Sequence, residues 1–119
     1  MVNNKKSGQI VIIPFFKTNC KFDKIRPALI LGRIPGKHDN WLSCMITSQL
    51  NQYNPNFDNI IHSSDSDFFD SKLKTTSLIK MNRILVIQPN PSIKKTGGCI
   101  SQQRLNIVKK NLISMFKQI

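Results

Sequence analysis

Five short apolar runs rich in β-branched and aromatic residues, each closed by proline, glycine or a polar cluster, precede one stretch of helical periodicity at the end of the chain. Runs of four to eight such residues read as strands, and their closers read as turns. The runs are residues 9–16 (QIVIIPFF), 26–31 (RPALIL), 41–47 (WLSCMIT), 57–62 (FDNIIH) and 77–87 (SLIKMNRILVI). Pro14 is expected to end the regular pairing of the first or to mark an edge or bulge, and a bend is expected near Asn82 in the fifth. Pro35-Gly36 centres one turn, Pro89 and Pro91 stop the fifth strand, and Gly97-Gly98 marks a further turn. Leu105, Val108, Leu112, Met115, Phe116 and Ile119 then recur at three- and four-residue spacing, one face of a helix with Ser101 as its N-cap. The expected fold is mainly β with a C-terminal α-helix. It forms one domain over residues 8–119, preceded by a flexible polar segment at residues 1–7. At 119 residues the chain buries roughly two-thirds of its unfolded surface, enough for one core.

Charge narrows the partners. Eighteen Lys and Arg oppose six acidic residues, for a net +12. Every acid is Asp, and Asp58, Asp65, Asp67 and Asp70 share one short stretch, so the rest of the chain is almost purely cationic. Such a surface attracts polyanions and releases their counterions on binding. Nucleic acid is the first expectation, ahead of a merely solvated basic surface or an anionic membrane or protein.

Several chemistries find no support. No phosphate-binding glycine loop or dinucleotide fingerprint occurs. His38 and His62 are isolated, without Cys or Asp at metal-ligand spacing, so neither a metal nor another cofactor is expected. Cys20, Cys44 and Cys99 are odd in number and widely spaced, which argues against a disulfide framework. Cys44 lies within an apolar run and reads as a packed, inert thiol. No run reaches signal-peptide or membrane-spanning length, and a cytoplasmic location is expected.

Two polar groups at strand ends stand out. Pro27 holds Arg26 in extended backbone at the mouth of the second strand. Thr47-Ser48-Gln49 follows the third apolar run. Together they suit a phosphate, which a guanidinium and hydroxyls bind well. The ordinary structural explanation, an edge arginine and a β-forming threonine, stays open at this point.

The order of the pieces resembles the PemK/MazF family of toxin endoribonucleases. The resemblance is carried by Gly8-Gln9-Ile10-Val11, by Arg26-Pro27-Ala28-Leu29-Ile30-Leu31, and by Cys44-Met45-Ile46-Thr47-Ser48-Gln49. Residues 76–84 (TSLIKMNRI) and the C-terminal helix extend it. It implies an SH3-like small barrel or twisted antiparallel sheet of about five to seven strands, and a homodimer. It also implies metal-independent cleavage of single-stranded RNA, and an antitoxin whose acidic flexible segment covers the RNA groove. By the same resemblance Arg26 and Thr47 are catalytic. RNA contacts are expected from Ser48, Gln49, Lys80, Asn82 and Arg83. Others are expected from Lys17, Lys21, Phe22 and Lys24, in a gating loop over residues 17–25. Residues 80–82 (Lys-Met-Asn) depart from the Arg-x-Asp of some relatives and lack its carboxylate. Trp41 and Phe16 read as core, and Phe22 as an exposed platform for a base.

The implied reaction is attack of the ribose 2′-hydroxyl on the adjacent phosphorus. It needs no protein nucleophile. A general base is not evident, with His62 or His38 the candidates. Two other readings share the fold: a non-catalytic toxin that poisons DNA gyrase, and a single-stranded nucleic-acid binder. Fold alone does not separate them.

Overall fold

The computed structural model describes residues 5–119. Six strands form one antiparallel sheet: β1 (Gln9–Phe16), β2 (Phe22–Arg33), β3 (Trp41–Thr47), β4 (Asn59–Ile61), β5 (Ser77–Ile87) and β6 (Lys95–Cys99). Their order across the sheet is β4-β5-β3-β2-β1-β6. Single helical turns α1 (Phe68–Ser71) and α2 (Pro89–Ser92) flank β5, and α3 (Gln102–Gln118) ends the chain. Of the N-terminal segment expected to be flexible, residues 1–4 lie outside the described residues, while Lys5 forms an ion pair with Asp39 at 3.4 Å.

The sheet curls into a half-barrel, and its two faces bury separate cores. Leu29 and Leu31 join Ile10, Cys44, Ile46, Ile61, Ile79 and Met81 beneath α3. Ala28 and Ile30, on alternate positions of the same strand, join Val11, Ile13, Phe15, Trp41, Met45 and Ile87 on the other face. A strand buried on both sides must be apolar without alternation, which is why Ala28 to Leu31 is a continuous run. Helix α3 covers the first core with Leu105, Val108 and Leu112. Ser101 caps it as expected, its hydroxyl accepting from the Arg104 N–H at 3.1 Å. The predicted apolar stripe does not stay buried to its end, because Phe116 and Ile119 run past the sheet into solvent.

The expected bend in β5 is a large bulge. Cys44 pairs with Ile84 and its neighbour Met45 with Lys80, so three residues, Met81 to Arg83, are looped into one step of β3. Three expectations change. Strand β2 starts at Phe22, four residues before Arg26, because β1 continues to pair with it as far as Phe16↔Phe22. The gating loop is correspondingly shorter than expected. Gly97-Gly98 is not a turn but lies in edge strand β6, paired with β1. The glycines serve close packing there: a Cβ on Gly98 would collide with the Asp70 carbonyl of α1. Phe16, read as core, is exposed and meets Phe22 edge-to-face at 6.0 Å.

Candidate nucleic-acid interface

Arg26 and Thr47 meet because of strand register. Ala28 pairs with Met45 across β2 and β3. Two residues further along both antiparallel strands, on the same face, are Arg26 and Thr47. Both line a single cleft of about 380 Å³. Its floor is apolar, from Ile10, Ile12, Pro27 and Ile46; Lys24 stands beside Arg26, and Ser48 follows Thr47. The opposite wall is the segment leading into β5, with Lys72, Lys74 and Thr75. Lysines on both banks, an arginine between and hydroxyls at one end make a site for a polyanion.

The two polar groups are poised differently. Thr47 is almost fully buried, and its Oγ1 accepts from the Gln49 backbone N–H at 3.1 Å. That bond uses a lone pair and leaves the hydroxyl proton free to donate into the cleft. Arg26 Nη2 donates to Asp23 Oδ2 at 3.3 Å. Arg26 Nε is buried with no hydrogen-bond partner among the described residues. A buried unmet donor is costly and uncommon. A guanidinium with one long ion pair and one idle N–H retains capacity for a further anion.

The remaining expected contacts divide. Lys17 and Lys21 are exposed in the β1–β2 turn, and Phe22 is exposed at its edge. Gln49 is exposed and acts on the site through its backbone. Lys80 is a correction: it is buried, donates to the Gln52 carbonyl at 3.1 Å and pairs with buried Asp58 at 3.5 Å. Its ammonium is spent on holding the turn before β4 against β5, and Asp58 also accepts the Met81 N–H at 2.9 Å. Arg83 lies at a separate cleft with Phe15, Phe16 and Thr18, donating to the Phe16 carbonyl at 3.2 Å. Asn82 is exposed on the β5 bulge, outside the Arg26 cleft. Neither histidine lines that cleft. Burial pushes the Cys44 thiol far above its ordinary range, so it is no nucleophile.

Lys72 and Lys74 were missed by sequence reasoning. Their signal was the alternation of residues 71–76 (SKLKTT), a polar stretch carrying two lysines directly before a strand. Nothing in that pattern says which strand ends it will face. The acidic stretch also resolves. Asp65 and Asp67 grip Arg104 of α3, with Nη2 to Asp65 at 2.8 Å and Nε to Asp67 at 2.8 Å. Hydrogen bonding from Arg104, supported by the Ser101 N–H, holds the Asp67 carboxyl down at about 2. The backbone N–H of His62 chiefly lowers Asp65. These acids are structural, which leaves the cleft cationic.

A family profile described as PemK-like, MazF-like toxin of type II toxin–antitoxin systems matches residues 6–116. The chain belongs to this toxin family. Among solved structures, Mycobacterium tuberculosis toxin MazF-mt6 superimposes with a TM-score of 0.66 at 17% identity, covering 92% of this chain and 96% of that one. At that identity the likeness establishes the shared fold, a curled antiparallel sheet with a C-terminal helix. No curated protein gives a significant sequence match. Membership of a type II toxin family implies a cognate antitoxin. Among the described residues, no helix is long and apolar enough to cross a membrane.

Proposed function

We propose that this toxin is an endoribonuclease that cuts single-stranded RNA by attack of the substrate's own 2′-hydroxyl. The observation that carries the reading is the convergence of Arg26, with its unpartnered Nε, and Thr47 in one lysine-lined cleft. The 2′-oxygen bonds to phosphorus as the bond to the 5′-oxygen breaks, leaving a 2′,3′-cyclic phosphate and a 5′-hydroxyl. The 2′-hydroxyl proton passes to solvent water and the departing 5′-oxygen takes a proton from solvent water, so the step is neutral in protons overall. The phosphorane builds charge on its non-bridging oxygens. The Arg26 fork and the Thr47 hydroxyl supply donors where that charge appears, each worth typically about 3–4 kcal/mol in such sites. Lys24, Lys72 and Lys74 hold flanking phosphates. Specific contacts to bases, rather than this core, select the sequence cut.

Asp23 pairs with Arg26 Nη2 in the free protein at 3.3 Å, so a phosphate binds through the guanidinium N–H groups that this one ion pair leaves over. Among the described residues, no carboxylate, imidazole or thiol lines the cleft itself. The enzyme therefore works by positioning and charge, without the roughly 10²- to 10⁴-fold that a general base adds, and it is slow.

The test is incubation of the pure protein with a long unstructured RNA in excess EDTA. Discrete fragments with 5′-hydroxyl ends, absent for Arg26→Ala, are expected. Gel shifts without fragments indicate a binder only, and intact RNA with inhibited gyrase indicates the other toxin class. The reading extends to a cytoplasmic homodimer whose antitoxin lays an acidic segment over the same cationic cleft. A monomer by light scattering at micromolar concentration overturns the dimer.

A further inference from the structure

Phe69 is 88% exposed, more than any other aromatic side chain among the described residues. Single exposed apolar residues are ordinary. What distinguishes Phe69 is its surroundings. It stands in a shallow cleft of about 300 Å³ with Lys6, Gln9, Asp70, Lys72 and Cys99. This cleft adjoins the one holding Arg26 and Thr47, since Lys72 and Gly97 line both. Where they join, β6 presents Gly97, which carries no side chain, beside Lys72. The close seat of α1 on Gly98 fixes the turn that carries Phe69.

We propose that this second cleft is a nucleobase subsite for the RNA strand that passes Arg26 and Thr47. One base stacks on Phe69, its neighbouring phosphates lie on Lys6 and Lys72, and Asp70 accepts from the base edge. An exposed aromatic between cations is the arrangement that holds single strands, because every base offers a stacking face. The Asp70 side chain makes no hydrogen bond or ion pair among the described residues. A carboxylate only accepts, so it favours an edge with an amino donor, such as cytosine N4 or guanine N2 beside its N1–H, over uracil, whose single N3–H lies between two carbonyl acceptors that repel the carboxylate. Strand β6 is two strands from β2, roughly 10 Å, so the base read is a neighbour of the scissile nucleotide. The subsite would thus contribute to sequence selectivity. This inference rests on the single-stranded RNA reading above.

The experiment measures binding of short uncleavable 2′-O-methyl RNA oligomers to the full chain, with each base in turn beside the expected cut. Phe69→Ala is expected to weaken binding about tenfold, with Phe69→Trp binding as tightly as wild type. Asp70→Asn is expected to remove the preference for cytosine or guanine over uracil. Both side chains lie outside the two cores, and an unchanged melting temperature confirms folding. Unaltered affinity in Phe69→Ala, with cleavage still dependent on Arg26, overturns the subsite and leaves the nuclease reading intact. Wild-type protein that neither binds nor cuts RNA overturns the reading itself. Loss of self-association or antitoxin capture in Phe69→Ala, with RNA binding unchanged, marks the patch as a protein interface and also overturns the proposal.

Discussion

Arg26 and Arg104 are both largely buried guanidiniums, 20% and 13% exposed at the side chain, yet they are equipped in opposite ways. Arg104 donates from Nε and both terminal nitrogens to Asp65, Asp67, the Asn59 side chain and the Ile60 carbonyl. Arg26 has one long bond to Asp23 and an idle Nε. A buried charge with every donor met joins elements of the fold. A buried charge left short of partners lowers stability unless a ligand completes it. The contrast separates the arginine that builds the molecule from the one proposed to act.

Substitutions at the two positions give the strongest tests. Arg26→Ala is expected to lower the cleavage rate by about 10²- to 10³-fold, the usual loss for one transition-state donor, with the melting temperature unchanged or slightly raised. Arg26→Lys should recover little, since an ammonium cannot reproduce the planar fork. A large fall in melting temperature for Arg26→Ala would erase the distinction. Arg104→Ala should do the reverse. It strands Asp65 and Asp67 and is expected to cost about 3 kcal/mol in denaturant unfolding, reduced from the fully buried case by the exposure of Asp65. The folded fraction should keep its specific activity.

Acid sharpens the same comparison. The Asp67 carboxyl is held at about 2 in the folded chain, against roughly 3.9 unfolded. A depressed carboxylate contributes stability in full above its unfolded value and loses it as pH falls toward the folded one. About 2 kcal/mol should therefore disappear between roughly pH 4 and 2. Thermal unfolding of Asp67→Asn should show a shallower acid slope over that window. The smallest expected effect lies on the far bank of the cleft. Lys72→Ala and Lys74→Ala should each weaken RNA binding several-fold, uniformly across sequences, and reduce the salt slope by about one. Unchanged salt slopes would take that bank out of the RNA path.

Much of this was legible in the chain. The apolar runs that became β1, β3 and β5, the capped terminal helix and the bend at Asn82 follow from side-chain periodicity and turn chemistry, which act over a few residues. The cationic excess likewise pointed to a polyanion before any coordinates. The first four residues of β2 were hidden because Phe22 to Ile25 mixes charged and exposed positions, and only β1 draws it into the sheet. Strand β6 was hidden because two glycines read as a turn until α1 packs on them.

The limit falls between local and long-range causes. Residue order alone determined the type of most elements, the helix cap and Arg26 and Thr47 as the pair worth watching, though not strand β6. Tertiary structure alone decided which cations are free: it withdrew Lys80 into a pair with Asp58, turned Arg83 toward β1, consumed Arg104 on the acidic stretch and brought Lys72 and Lys74 opposite Arg26. A lysine's composition is the same whether it meets a carboxylate or water, and pairing between distant strands chooses which.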